Sequence, residues 1–273
     1  CVAKGIRKPK NAVHISYIHA PMRYMWDRFD DYFGKGRAAF PVRLAAKAMR
    51  SYLQAWDLKT SSPERVDYLI CNSHFIADQV KKNYGRDSIV IHPFADQNRF
   101  KMPRIPGRNY LMVGAFAPNK RVDLAIDAFN KMKLPLLIVG SGQDERKLKK
   151  MAGPTVEFLG NLSNAAIADL FSKCKAFVFP GLEDFGITPI EAMAAGVPVI
   201  AYQAGGVLDT ITEKTGVFFK TQTVDALIEA VTRFESGNIT IHEADCRAQA
   251  AKFTKENFQK EFLKAVSNLN HSH

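Results

Sequence analysis

The sequence predicts an α/β protein whose larger part is a Rossmann-like domain built on a parallel sheet. After Gly107, short apolar runs of strand type alternate regularly with segments of helical period. The chain has 273 residues, 47% of them hydrophobic, which is enough for two domains with a core each. Since strands that alternate with helices are joined by right-handed crossovers, we expect the sheet to be parallel and covered on both faces.

Six strands are predicted after Gly107, each followed by a helix or a short loop. The predicted strands are Tyr110–Val113, Leu136–Val139, Val156–Leu159, Ala176–Phe179, Val197–Ala201 and Gly216–Phe219. The predicted helices are Arg121–Lys131, Glu145–Met151, Asn164–Cys174, Pro189–Ala195, Gly206–Ile211 and Val224–Phe234. In such sheets the ligand lies beyond the carboxyl ends of the strands. The loops expected to line one crevice therefore follow Val113, Val139, Leu159 and Phe179.

The first hundred residues predict a smaller set of elements. The strands are Val13–Ile18, Tyr68–Cys71 and Ser88–Ile91, and the helices are Pro41–Trp56 and Phe75–Tyr84. The segment Asp96–Arg108 contains two prolines and is predicted to be a linker. The sequence thus predicts a partial Rossmann-like domain with its linker at 1–106, and a complete one with a terminal helix at 107–273. Further strands of the first domain are expected before Cys1, because three strands are few for this fold.

The formal net charge of +11 is concentrated at the front of the chain. Residues 1–60 contain twelve Lys and Arg against four Asp, a balance of +8. Such a segment suits nucleic acid, an anionic membrane surface or a phosphorylated substrate, and a solvated basic face without a partner stays an alternative. No signature of a nucleic-acid-binding module accompanies the charge, so we expect no nucleic acid partner.

The cysteines and apolar runs predict a cytoplasmic protein. Four cysteines are widely spaced, with no pairing or metal-ligand pattern, which is typical of reduced thiols. No metal site is expected. Apolar runs such as Leu134–Val139 are far shorter than the ~20 residues of a membrane span, and no signal peptide is recognisable.

The most informative stretch is FPGLEDFGITPIEAMAAGVPVIAYQA, from Phe179 to Ala204. A strand leads to an acidic loop, and a helix is predicted to begin near Thr188 with a proline in its first turn. The free amides and the dipole of that helix favour an anion such as a diphosphate. The candidate donor-binding residues of this loop are Asp184, Phe185, Gly186, Ile187 and Thr188. Glu191, on the same helix, is suited to bind a vicinal diol. Alternatively, Glu183, Asp184 and Glu191 only cap and solvate the helix start.

Glycine turns follow the other strands of the predicted crevice. The candidates for close nucleotide contact are Gly114, Gly140 and Gly142, since glycine lets the backbone approach a ligand. The turn Gly160, Asn161 and Leu162 occupies the equivalent place after the third strand. A simple tight turn explains each of these equally well.

Lys120 is predicted at the mouth of the crevice, where an ammonium can neutralise a departing diphosphate without a metal. Arg121 is a second candidate for phosphate contact. An exposed lysine at a helix start is the alternative. From the first domain, His19 and Arg23 are candidate acceptor-side residues, although a histidine after a strand is often structural.

Glu183 and Glu191, with seven residues between them in PGLEDFGITPIEAMAAGVPVIA, closely resemble the signature of glycosyltransferase family 4. The resemblance extends through VGAFAPNKRVDLAIDAF and covers essentially all of 107–273. It implies the GT-B fold of two Rossmann-like domains, here with the first one truncated, and transfer with retention. It further implies that Glu191 binds the donor ribose, that Glu183 lies beside the donor sugar and that Lys120 binds the phosphates.

The resemblance also implies how the base and the phosphates are held. The base would lie against the backbone of the turn at Gly160. An arginine usual in the family is replaced by Ala115, with Arg121 as a candidate substitute. A histidine of the catalytic region would precede Cys1, which leads us to expect nucleotide binding but little transfer from this chain.

The upstream segments ISYIHAPMRYMWD and CNSHFIADQVKKNYGRDSIVIHPF resemble bacterial mannosyltransferases of O-antigen and polysaccharide assembly. We therefore expect a nucleotide sugar, preferably GDP-mannose, as donor, no other cofactor, and a lipid-linked glycan as acceptor. The enzyme would lie at the inner face of the cell membrane as a peripheral protein. A non-catalytic nucleotide-sugar-binding protein and an NAD-linked oxidoreductase stay as alternatives, although no G-x-G-x-x-G follows the first strand of the domain.

Overall fold

The computed structural model describes residues 2–270, which form two compact units, Cys1–His92 and Pro93–His273. The segment predicted as a linker belongs entirely to the second unit. Two contacts explain this: the amide of Ala95 donates to the carbonyl of Phe253 at 3.2 Å, and the Phe100 ring packs edge-on against Phe171 at 5.7 Å. Proline content alone therefore did not mark the boundary.

The first unit is a parallel three-stranded sheet with helices. Its strands pair in the order β1-β2-β3 and are β1 Ile15–Ile18, β2 Tyr68–Cys71 and β3 Ile89–Val90. Its helices are a 3-10 turn at Val2–Gly5, α1 Phe29–Phe33, α2 Phe40–Thr60 and α3 His74–Tyr84. All three predicted strands are present among the described residues, whereas α1 was not predicted and α2 is longer at both ends than expected.

The second unit is a six-stranded, fully parallel sheet. The strands pair in the order β6-β5-β4-β7-β8-β9, with β4 Tyr110–Val113, β5 Leu136–Val139, β6 Val156–Gly160, β7 Phe177–Phe179, β8 Val199–Tyr202 and β9 Gly216–Phe219. Its α-helices are α4 Val122–Met132, α5 Glu145–Met151, α6 Asn164–Lys173, α7 Ile187–Ala194, α8 Val207–Thr210, α9 Val224–Glu235, α10 Glu243–Ala250 and α11 Lys255–Asn270. Short 3-10 turns lie at Gln97–Phe100 and Pro118–Lys120.

Two hydrophobic clusters cover the two faces of this sheet. Because side chains alternate along a strand, Phe177 and Phe179 enter one cluster while Val178 between them enters the other. On β4, Leu111 and its neighbour Tyr110 divide in the same way. The prediction of a parallel sheet buried on both faces is confirmed.

Element ends differ from the predicted ones where glycines change the backbone direction. The helix predicted to begin near Thr188 begins one residue earlier, because Gly186 at its N-cap takes a left-handed conformation with φ of 90°. The strand predicted from Val197 begins at Val199, because the amide of Val197 is still bonded to the carbonyl of Ala192 at 2.9 Å in the turn after α7.

Cys71, Cys174 and Cys246 are free, as predicted, and all three are buried, while Cys1 lies outside the described residues. Within 2–270, no helix has both the length and the apolar character that a bilayer crossing requires.

Candidate active site

Lys120 and Glu183 meet at the carboxyl edge of the second sheet, in the loops that follow the neighbouring strands β4 and β7. The Lys120 ammonium lies 2.9 Å from Oε1 of Glu183, and the two side chains are 25% and 17% exposed. Asn119 Nδ2 donates to the same oxygen at 2.6 Å. An ammonium carries three donors, so the pair leaves Lys120 able to bind a further anion.

The backbone explains why these side chains converge. Asn119 and Lys120 belong to the 3-10 turn Pro118–Lys120, and the carbonyl of Asn119 accepts a hydrogen bond from the amide of Leu182 at 3.1 Å. Gly181 makes this approach sterically feasible: a Cβ there would lie 2.6 Å from the oxygen of Asn119. The two loops are thus fastened to each other before any ligand arrives.

Glu191 projects from α7 and is held by an arginine. Arg99 Nη2 donates to Oε1 of Glu191 at 2.7 Å, and the Glu191 side chain is 18% exposed. Burial raises the pKa of Glu191 above its ordinary value, Arg99 works against this rise, and the nearby charge of Asp96 adds to it. Glu191 is therefore a half-buried carboxylate with one arginine as its hydrogen-bond partner.

Neither glutamate caps the start of α7, so of the three acidic residues in the alternative weighed from the sequence only Asp184 is left as a candidate cap. Their carboxylates bind the partners described above, and the N-cap is Gly186, which has no side chain. The N-cap residue itself therefore offers no side-chain cap to the first-turn amides at Ile187 and Thr188. Such an end attracts an anion.

The glycine turns fall into two groups. A Cβ at Gly140 would lie 1.9 Å from the oxygen of Gly114, and one at Gly142 would lie 2.6 Å from the oxygen of Phe116. These two glycines are required because their turn packs on the loop after β4. At Gly114 and Gly160 a Cβ would meet no atom of the described chain within 4 Å, so the backbone there faces open space. The nucleotide contact predicted for all four glycines stays a prediction.

The remaining candidates have diverse surroundings. Arg121 adopts a left-handed conformation, and its Nε lies 3.2 Å from Asp123. The Phe185 side chain is buried, with its ring 5.8 Å from that of Phe253, which leaves only its backbone available to a ligand. Asn161 is exposed, while Leu162 is half-buried against the core.

His19 and Arg23 belong to the first unit. His19 is exposed directly after β1, with its ring 5.1 Å from that of Tyr17. Arg23 is half-buried, and its carbonyl accepts from the amide of Arg28 at 2.8 Å. Their acceptor-side role stays a prediction.

The model of the family described as Glycosyl transferases group 1 matches residues 96–253, which is more than half of the chain. The chain belongs to this family. That match begins three residues after the second unit does and contains Lys120, Glu183 and Glu191.

Individual relatives agree with the family assignment. Over 123 residues, the chain is 42% identical to a GDP-mannose-dependent alpha-mannosyltransferase of Mycolicibacterium smegmatis, covering 44% of this chain and 32% of that protein. It is 29% identical over 187 residues to the O-antigen chain mannosyltransferase C of Escherichia coli, covering 61% and 50%. In both comparisons the chain spans no more than half the length of the relative.

Among solved structures, a sucrose-phosphate synthase from Thermosynechococcus elongatus superposes with a TM-score of 0.73 at 21% identity, covering 95% of this chain and 68% of that one. Likeness at this identity shows the fold, which is GT-B.

Two residues of this candidate site were not predicted. Asn119 lies 64 positions from Glu183 in the chain, and Arg99 lies 92 positions from Glu191. Asn119 directly precedes Lys120, so a turn prediction for PNK after strand β4 was the available signal. Arg99 was not considered, because its segment was interpreted as a linker and contains no local pattern that indicates a binding site.

A separate cavity of about 640 Å³ runs along the edge strand β9 and helix α9. None of the predicted site residues lines it. The open edge of the sheet at Lys120, where charged side chains converge, is the better candidate for chemistry than this cavity, because volume alone brings no reactive group.

Proposed function

We propose that the chain transfers a hexosyl group, mannose from GDP-mannose, with retention to a lipid-linked glycan in cell-surface polysaccharide synthesis. The observation that carries the proposal is the pairing of Lys120 with Glu183 at the carboxyl edge of the sheet that also carries Glu191. The preference for mannose is supported by the relatives whose names specify mannosyl transfer.

In this proposal Glu191 accepts hydrogen bonds from the ribose of the donor. Hydrogen bonds to a charged acceptor are stronger than neutral ones, and a half-buried carboxylate is screened less by water. The open backbone at Gly160, at the end of β6, has room for the base.

The diphosphate would lie between Lys120 and the start of α7. Lys120 offers its remaining ammonium donors, and the first-turn amides at Ile187 and Thr188 add partial positive charge. Positive groups fixed where negative charge develops stabilise the transition state without rearranging. No metal ion is needed in this arrangement.

Transfer would proceed by departure of the diphosphate from the anomeric carbon. The bond from the anomeric carbon to the phosphate oxygen breaks with its electrons staying on the diphosphate, and the acceptor oxygen forms the new bond to carbon. The acceptor proton passes to a phosphate oxygen. Glu183, fixed by Asn119 and Lys120, lies beside the sugar and stabilises positive charge on the ring.

An anionic membrane surface is the proposed location, with the first unit as the contact. Helix α2 exposes a set of large apolar side chains: Phe40, Val42, Leu44, Met49, Tyr52 and Leu58. The same helix carries the cations Arg43, Lys47, Arg50 and Lys59, and its one acidic residue, Asp57, is buried. Exposed apolar groups beside cations suit the interface of an anionic bilayer, such as the inner face of a cell membrane.

A titration that compares GDP-mannose, UDP-glucose and NAD by calorimetry tests the proposal. We expect GDP-mannose to bind most tightly, with an unchanged dissociation constant in EDTA. Tight binding of NAD with none of either sugar nucleotide would contradict it, and so would binding that EDTA abolishes and magnesium restores.

A further inference from the structure

Arg99 makes a single hydrogen bond among the described residues, and that bond goes to Glu191. Its Nη2 lies 2.7 Å from Oε1, whereas its buried Nε has no hydrogen-bond partner in the described chain. Nε also lies 3.7 Å from Oδ2 of Asp96, which is a longer ion pair without a hydrogen bond. The guanidinium therefore uses its one hydrogen bond on Glu191.

Other arginines of the same unit show what a structural role looks like. Arg104 donates to the carbonyls of Gly196, Cys174 and Lys175 at 2.8 to 3.1 Å. Arg247 donates to four further carbonyls. These side chains fasten backbone segments together. The Arg99 side chain donates to no backbone carbonyl of the described chain, and its one hydrogen bond goes to a residue of the proposed donor site.

The backbone that carries Arg99 is well anchored. Phe100, the next residue, is buried with its ring against Phe171, and the amide of Ala95 is bonded to the carbonyl of Phe253. The Phe100 ring also lies 5.3 Å below the Arg99 guanidinium, which limits its motion. An arginine on such a base can fix the orientation of the group it binds.

We propose that Arg99 is a positioning residue for donor binding, which holds Glu191 by Oε1 and leaves Oε2 directed at the two hydroxyl groups of the ribose. No hydrogen bond of the described chain reaches Oε2. The inference rests on the proposed function, because it requires Glu191 to bind ribose. It adds a residue from the segment before β4, which carries no other part of the site.

Binding of GDP and 2′-deoxy-GDP to four proteins tests the inference: the unchanged chain, Arg99→Gln, Glu191→Gln and the double variant. The 2′-deoxy nucleotide lacks one hydroxyl that Glu191 would bind, so the preference for GDP isolates this contact. We expect Glu191→Gln to weaken GDP binding by about 5- to 150-fold. Arg99→Gln should remove most of the preference for GDP over 2′-deoxy-GDP. The double variant should lose no more affinity for GDP than Glu191→Gln alone, since the two residues act as one unit.

Two further variants separate positioning from general damage. Arg99→Lys keeps the charge and should retain part of the preference for GDP. Arg104→Gln removes a structural arginine and should leave the ratio between the two nucleotides unchanged. Retention of the full preference in Arg99→Gln, with its loss in Glu191→Gln, would overturn the inference and leave the proposed function standing. Absence of any preference in the unchanged chain would instead contradict the assignment of Glu191 to ribose.

Discussion

At the scale of single residues, the site depends on charges that are paired but not saturated. Lys120 and Glu183 are both partly exposed, and one ammonium donor serves the pair while the others stay available. An arriving diphosphate therefore meets a cation whose position Glu183 has already fixed. A charge that is fixed before binding loses less conformational entropy when the ligand binds.

Replacing Lys120 should weaken diphosphate binding selectively. Lys120→Ala removes the ammonium and leaves Glu183 as an uncompensated negative charge, so GDP affinity should fall by about 10- to 150-fold, the loss for a charged hydrogen-bond partner. Guanosine, which has no phosphate, should bind equally well to both proteins. Calorimetry measures both ligands. Lys131→Ala, at a lysine with 62% exposure, is the control, and an equal loss for GDP in both variants would contradict the assignment.

The sequence allowed the charged residues of the site to be predicted, but not all of their partners. Glu183, Glu191 and Lys120 could be found because each follows a strand within a recognisable local pattern. Arg99 could not, because its contact with Glu191 exists only after the chain segment before β4 packs on α6 and α7. For Gly140 and Gly142 the sequence predicted nucleotide contact but not the close approach of their turn to the loop after β4. A contact between two loops produces no local sequence pattern.

At the scale of elements, the first unit is tied together by a buried polar cluster. Lys4 donates to Asp57 at 2.8 Å, to Ser61 at 2.6 Å and to Tyr84 at 3.0 Å. Tyr84 and Trp26 both donate to Asp57 Oδ2, at 2.7 and 2.9 Å. Burial lowers the pKa of Lys4 and raises that of Tyr84. Asp57 is thus the common acceptor that connects the front of the chain, α2 and α3.

Removing this acceptor should destabilise the first unit strongly. Asp57→Ala leaves a buried ammonium unpaired, for which the cost is about 3 to 5 kcal/mol in the free energy of unfolding. Urea unfolding followed by tryptophan fluorescence measures it, since both tryptophans, Trp26 and Trp56, lie in this unit. Asp87→Asn breaks the exposed pair with Lys81 and should cost less than about 0.5 kcal/mol. Equal effects of the two variants would contradict the account.

The buried thiols give a second test at this scale. Burial raises the pKa of Cys71 to about 11 and those of Cys174 and Cys246 to about 12. At pH 8 each thiol is therefore almost fully protonated, and the thiolate is the reactive form. Iodoacetamide should leave these three cysteines unmodified in the folded protein and modify all of them in urea, as read by peptide mass spectrometry. Rapid modification of Cys174 without denaturant would show that its helix is not packed as described.

Strands and helices of the second unit were predictable because apolar residues follow clear periods there. The ends of these elements were less predictable. Helix α7 begins one residue earlier than predicted, because its N-cap is Gly186. Helix α10 was not predicted, since its sequence is mostly polar and its burial comes from packing on α7. Element existence follows from local pattern, whereas element ends follow from backbone contacts that form later.

At the scale of the whole molecule, charge and exposed apolar surface coincide in the first unit. Residues 1–60 hold +8 of the total +11, and α2 exposes Phe40 at 73% and Leu44 at 60%. A groove of about 380 Å³ beside α2 is lined by three phenylalanines and by the cations Arg43, Lys47 and Arg50.

Binding to vesicles tests the proposed membrane contact. The chain should bind vesicles rich in anionic lipid, and salt should weaken the binding, because charges are screened within ~8 Å at physiological ionic strength. The variant Phe40→Ser/Lys47→Glu should bind several-fold more weakly in a sedimentation assay. A matched change on α11, Leu263→Ser/Lys260→Glu, removes an apolar residue with 65% exposure and should have little effect. Equal binding to neutral vesicles would contradict the proposal.

The central claim is that the loops at the carboxyl edge of the second sheet hold the nucleotide sugar. Hydrogen–deuterium exchange with and without saturating GDP-mannose tests it most directly, because backbone protection reports where the ligand lies. With GDP-mannose bound, we expect slower exchange in residues 114–121 and 181–191, and no change along β9 and α9. Protection confined to β9 and α9, where the cavity of about 640 Å³ lies, or no protection at a concentration that saturates binding, would contradict it.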